Sequence, residues 1–175
     1  MKRLLLMIAL SLGASHVFAQ SPLQVGEKQL NAGLGLFGKG TSLYAGVEFG
    51  VYEDITAGGE ISRQSRTDHF GFGRIQYRGF GIGANANYHF NRILKIEDVW
   101  DVYAGLTLNY TNWNTEVTDF SGSPFNYLGA YSYNTGLGMD IQVGGRYFFS
   151  ETFGVNLELG GMALSGGKVG ITYKF

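Results

Sequence analysis

The chain has 175 residues, with 13 Lys+Arg against 14 Asp+Glu and a formal charge of −1, so one domain of ordinary size is expected and the charge gives no basis for nucleic-acid binding. With 28 Gly, 2 Pro and only 15% charged residues, against about 25% in a typical soluble domain, the composition points away from water as the main solvent. No cysteine is present, which excludes disulfides, thiolate metal sites, cysteine nucleophiles and a cysteine-attached lipid anchor.

Residues 1–19 begin with Lys2 and Arg3, continue through an apolar run from Leu4 to Leu12, and end in the small-residue exit Val17-Phe18-Ala19. They read as a secretory signal peptide cleaved after Ala19. The apolar run is about half of the ~20 residues that a spanning helix needs. Residues 20–175 are then expected to form a single β-barrel domain.

From Gln29 onward the hydrophobic pattern has period two, the mark of strands with one apolar and one polar face. The first segment sets Leu30, Ala32, Leu34 and Leu36 against Asn31, Gly33 and Gly35, and residues 38–41 make a tight turn. The second has Leu43, Ala45, Val47 and Phe49 on its apolar face; the third has Ile55, Ala57 and Ile61, followed by a polar loop over 66–74. In the fourth, Phe80, Ile82, Ala84, Ala86 and Tyr88 face away from Asn85, Asn87 and His89, and 91–98 is a longer connection. The fifth sets Trp100, Val102, Ala104, Leu106, Leu108 and Tyr110 against Tyr103, Thr107 and Asn109, with the longest loop over 112–130. The sixth runs from Tyr133 to Phe149, the seventh carries Val155, Leu157 and Leu159, and the eighth carries Val169, Ile171, Tyr173 and Phe175. Eight segments, short turns alternating with longer loops, and aromatics near segment ends predict an eight-stranded antiparallel up-and-down transmembrane β-barrel.

The polar face decides between lipid and water as the outer medium. It is mainly Gly, Asn, Ser and Thr with isolated charges, which suits a cramped interior better than a solvated surface. The other face carries hardly a charge in mid-strand, where Lys or Arg against lipid costs roughly 2–4 kcal/mol.

The terminal residues Lys168-Val169-Gly170-Ile171-Thr172-Tyr173-Lys174-Phe175 resemble the last-strand signal of bacterial outer-membrane proteins, matching at Lys168, Gly170, Tyr173 and Phe175. Together with Tyr88-His89-Phe90-Asn91 and Asp101-Val102-Tyr103-Ala104-Gly105, the whole plan resembles the small outer-membrane β-barrel family that includes OmpX and the OmpA membrane domain. The resemblance implies residence in the outer membrane of a Gram-negative bacterium, outer-membrane lipids as surroundings, and delivery to the barrel assembly machinery, which pairs the last strand with its own edge. It also implies a periplasmic N-terminus, with 38–41, 66–74, 112–130 and 161–167 facing outward. Trp100, Tyr88, Phe90, Tyr147, Phe149, Phe153, Tyr173 and Phe175 then gather at the periplasmic interface, and Tyr110, Trp113, Tyr131 and Tyr133 form the outer girdle.

Three constellations bear on function. Glu48, Glu60, Asp140 and Glu158, with Arg146, Lys168 and Lys174, fall on the polar face, where they are expected to pair inside a filled interior; a narrow ion path gated by exchange of partners is the alternative. Trp113, Phe120, Phe125 and Tyr127 lie in the longest loop, whose composition suits contact with an extracellular protein or glycan. His69, beside Asp68 and near Ser65, and His89 are the histidines beyond the signal segment; a lipid-modifying enzyme built on them is the third reading. The His-x-Ser pattern of the lipid A deacylase family is missing, because position 91 is Asn. The glycines of Gly33-Leu34-Gly35-Leu36-Phe37-Gly38 satisfy GxGxxG but sit inside a strand with no helix after them, so they do not mark a nucleotide site. No catalytic residue, cofactor or metal is expected.

Overall fold

A computed structural model describes residues 22–37, 40–70, 73–118, 135–161 and 164–175. The expected signal peptide lies outside them. Eight strands form a closed, all-antiparallel barrel in sequence order: β1 (Lys28–Leu36), β2 (Thr41–Tyr52), β3 (Ile55–Phe70), β4 (Gly73–His89), β5 (Trp100–Thr118), β6 (Gly136–Phe148), β7 (Phe153–Gly160) and β8 (Gly167–Lys174). Among the described residues a short helix, α1 (Asn91–Leu94), sits between β4 and β5. Both described chain ends and the β2–β3, β4–β5 and β6–β7 connections share one end, the near rim; the other four connections share the far rim.

Closure rests on β1 and β8, paired from Gln29↔Lys174 to Leu36↔Gly167. Inside this seam Gly33 faces Gly170. A Cβ at Gly33 would strike the backbone at Val169 and Gly170, and one at Gly170 would strike the Ala32 carbonyl and the Tyr44 hydroxyl. Glycine also makes room for aromatics elsewhere in the lumen, where the Tyr103 ring occupies the space beside Gly144.

The outward face is apolar around the circumference: Leu30, Leu43, Ile61, Ile82, Leu106, Leu108, Ile141, Val155, Leu157 and Ile171 are all exposed. On β4 and β5 this series runs from Tyr88 to Phe80 and from Trp100 to Tyr110, roughly 20–25 Å along the axis at about 3.3 Å per residue and 35–45° of tilt. That is close to the apolar band of an outer-membrane-type barrel, about 25 Å tall. Aromatics gather at the near rim in the pairs Trp100–Tyr147, Tyr88–Phe90, Phe149–Phe153 and Tyr173–Phe175, with centroids 4.7–6.3 Å apart.

The structure corrects the expected boundaries at the far rim. Most of 66–74 is strand, paired from Arg66↔Tyr77 to Phe70↔Gly73, and β5 continues past residue 112 to Thr118. Beyond the apolar band the polarity of the two faces swaps: Ile75 and Tyr77 turn inward and are buried, whereas Arg74, Gln76 and Arg78 alternate with them on the outside. An apolar-outside pattern cannot follow a strand through that swap. At 16, 17 and 19 residues, β3, β4 and β5 therefore stand above their neighbours as a three-stranded extension. Within 91–98, expected as a plain connection, α1 forms and ends at Lys95 in a left-handed conformation.

Replacing Gly33 or Gly170 by Val is predicted to prevent closure. Overpacking typically costs about 1–3 kcal/mol, and here the obstacle is main chain, which cannot rotate away. On unheated gels each variant should lose the fast-migrating folded form that the Ala32→Val control, altered on the outward face, retains.

Candidate functional site

The lumen is the place where ionisable side chains converge. Period-two geometry sends Glu48 and Glu60 from β2 and β3, Asp101 from β5, Arg146 from β6, Glu158 from β7 and Lys168 from β8 into the same narrow bore. They form two tiers.

In the lower tier the Arg146 fork donates to Glu48 Oε2 at 2.5 Å and to Asp101 Oδ2 at 2.7 Å, tying β2, β5 and β6 together across the bore. All three groups are buried. Glu48 also accepts from Gln29 at 3.0 Å, from Asn87 at 2.9 Å and from the Thr56 hydroxyl. The guanidinium carbon lies 4.2 Å from the centroid of the Tyr103 ring, and the Tyr103 hydroxyl donates to Glu158 at 2.7 Å, joining the lower tier to the upper. There Lys168 Nζ lies 2.5 Å from Glu60 and 2.9 Å from Glu158. Tyr44, 5.1 Å below the same ammonium, donates to Asn156, whose amide reaches the Thr172 hydroxyl. Each tier sets one fixed cation between two carboxylates.

Asp140 is half-buried farther up, where Asn109 donates to it at 2.6 Å, and Lys174 lies over the Phe148 ring at 4.0 Å near the other end. Alternation locates the seven expected charges on this face, but it does not single out Asp101, His89 and Tyr103 as members of the network. The signal is present, since Asp101 is in phase with Tyr103 and Thr107, but only the β4–β5 and β5–β6 registers set it between His89 and Arg146.

Thr56, His89 and Asp101 stand in a line, with Thr56 Oγ1 3.0 Å from His89 Nε2 and His89 Nδ1 2.6 Å from Asp101 Oδ1. A hydroxyl, an imidazole and a carboxylate in that order are the parts of a nucleophile relay. Here the hydroxyl is already engaged by Glu48, and all three side chains are almost fully buried. The line braces β3, β4 and β5. The other grouping, Ser65, Asp68 and His69, is broken up by the strand they share: Asp68 points to the opposite face from its neighbours and pairs with Arg66 at 2.7 Å, and Ser65 and His69 are about 13 Å apart along one face.

Two cavities in the lumen, one between the tiers and one beside Glu60, Asn85 and Asn109, measure about 10 Å³ each, the lower limit for a single water. A larger recess of about 740 Å³ opens at the near rim between residues 22–25, the β2–β3 turn and α1. Arg92 spans it to Asp54 at 2.5 Å and Glu53 at 2.9 Å, and the hydrogen bond to Asp54 pushes its guanidinium still further toward the charged form.

Of the residues resembling the assembly signal, Lys168 and Gly170 face inward, and Tyr173 and Phe175 stack at the near rim. Trp113 is not on the outer girdle. It has the inward phase of β5, and its ring covers Gly79 within the far mouth. Phe120, Phe125 and Tyr127 lie outside the described residues, as do Tyr131 and Tyr133.

This is the fold of the small eight-stranded outer-membrane barrels. Among solved structures, OprG from Pseudomonas aeruginosa superposes with a TM-score of 0.60 at 11% identity, covering 89% of this chain and 99% of that one. The N-terminal β-barrel domain of OprF from the same organism gives 0.54 at 12%, covering 86% and 98%, and Neisserial surface protein A gives 0.53 at 14%, covering 85% and 95%. No protein-family model and no curated protein matches the sequence.

Removing the lower clasp by Arg146→Met leaves two buried carboxylates without their cation, and should cost about 3–5 kcal/mol, read as a lower urea midpoint in lipid vesicles. Arg146→Lys should recover only part of the loss, because an ammonium cannot fork between Glu48 and Asp101.

Proposed function

We propose that this chain is an integral outer-membrane protein of a Gram-negative bacterium, exported by residues 1–19 and inserted by the barrel assembly machinery. Its trunk is a sealed scaffold and its far rim faces the outside, where it serves a structural or surface-contact role without catalysis. The observation that carries the sealed reading is the filled lumen: in each of two tiers an ion pair crosses the bore, Arg146 to Glu48 and Lys168 to Glu60, and the two cavities beside them are each about 10 Å³, room for one water at most. The orientation is supported by the near rim's short β2–β3 and β6–β7 turns and by the strand extension at the far rim. A hydrated ion moving along the bore would have to part Arg146 from Glu48 and Lys168 from Glu60. The functional chemistry then belongs to the far rim, where the residues that follow β5, Phe120, Phe125 and Tyr127 among them, have a composition suited to contact with an extracellular protein or glycan.

Planar-bilayer recording of the refolded residues 20–175 tests the seal. A folded barrel is predicted to give no discrete current steps. Reproducible steps that change in Glu158→Ala and Lys168→Ala would instead make it a narrow channel running along the interior charges.

A further inference from the structure

The three-stranded extension of β3, β4 and β5 carries a feature that neither the filled lumen nor the apolar band requires. Strand register sets its outward side chains in rows. The last apolar row is Ala45, Ile61, Ile82 and Tyr110. Above it come Leu43, Arg63, Phe80 and Asn112, and above those Ser65, Arg78 and Asn114. Arg63 and Arg78 are thus the first outward charges beyond the apolar band on their strands. Both are exposed, and they occupy diagonal positions on adjacent strands, about 7–8 Å apart by sheet geometry.

Among the described residues little around them neutralises this pair. Arg78 lies 3.5 Å from Glu116 and donates to Gln76 at 2.7 Å. No ion pair among the described residues engages Arg63, or Arg74 two rows higher beside His69. Like charges on neighbouring strands repel. A dianion placed between them reverses that cost, because guanidinium groups bind phosphate through parallel charge-assisted hydrogen bonds. Leu43 and Phe80 flank Arg63 in its own row and Ile61 and Ile82 lie in the row below, all exposed on the same face and continuous with the band that meets hydrocarbon. Arginines directly above an apolar strip match an amphiphile with acyl chains below and phosphate at headgroup height.

We infer that the outward face of β3–β5 at the far rim is a binding site for the phosphorylated saccharide headgroup of an outer-leaflet lipid, the lipid A portion of lipopolysaccharide. Arg63 and Arg78 clasp a phosphate, Ser65 and Asn114 offer further donors, and the acyl chains lie over Phe80 and Ile82. The inference rests on the outer-membrane reading above, with the far rim outside.

The test is lipid retention by the refolded barrel in nanodiscs of phosphatidylcholine doped with bisphosphorylated lipid A, measured by mass spectrometry after washing. Arg63→Gln/Arg78→Gln should retain about tenfold less lipid A than the wild type, as expected when charge-assisted contacts worth about 1.5 kcal/mol or more are lost. Arg78→Gln alone should fall between, and Arg92→Gln at the near rim should match the wild type. Dephosphorylated lipid A should bind the wild type no better than the double variant. Equal retention by wild type and double variant, or indifference to dephosphorylation, would overturn the site, and equal retention of phosphatidylglycerol would overturn its assignment to lipid A. A protein that gives no heat-modifiable barrel in the bilayer would instead count against the membrane reading itself.

Discussion

Everything else in this protein follows from closure of the sheet between β1 and β8. In hydrocarbon an unpaired amide or carbonyl has no water to turn to, so a sheet that crosses a membrane can have no edge. Eight residue pairs from Gln29↔Lys174 to Leu36↔Gly167 remove the edge here. Closure with eight strands fixes the bore, and the bore admits side chains but little else. The outer face must satisfy lipid and the inner face must fill a space too small for an apolar core of ordinary depth.

That space is filled with paired charge rather than hydrocarbon. Breaking a buried pair is costly even where the intact pair adds little net stability, so a barrel strung with such pairs tolerates few alternative registers. The fork of Arg146 reaches Glu48 and Asp101 from strands on different sides of the bore, and Lys168 does the same for Glu60 and Glu158. A one-residue slip would turn either cation into lipid. Tyr103, stacked under Arg146 and bonded to Glu158, couples the tiers so that neither moves alone. The interior thus fixes register and closes the bore with one set of contacts.

Strand number, order and the phase of the membrane-spanning parts are legible in the sequence because one face must be apolar wherever lipid touches it. Glu48, Arg146 and Lys168 can be placed inside for that reason. Lys168 meets Glu158 directly across the β7–β8 hairpin, but Glu48 cannot be matched to Arg146 in the same way, since 98 residues separate them and only the closed sheet brings them together. Legibility fails where the medium changes: above the band Ile75 and Tyr77 turn inward, Arg74 and Arg78 turn outward, and strand reads as polar loop. Trp113 is misplaced for the same reason, because an aromatic near a strand end looks like a girdle residue until its phase is known.

Amide hydrogen exchange on the refolded protein in lipid bicelles tests closure most directly. If the sheet is closed and the bore sealed, the amides of Asn31 to Leu34 and of Val169 to Thr172 should exchange as slowly as those in the middle of the β4–β5 pair, around Gly83 and Asn109. Rapid exchange confined to the β1–β8 seam would show an open edge there and contradict closure itself.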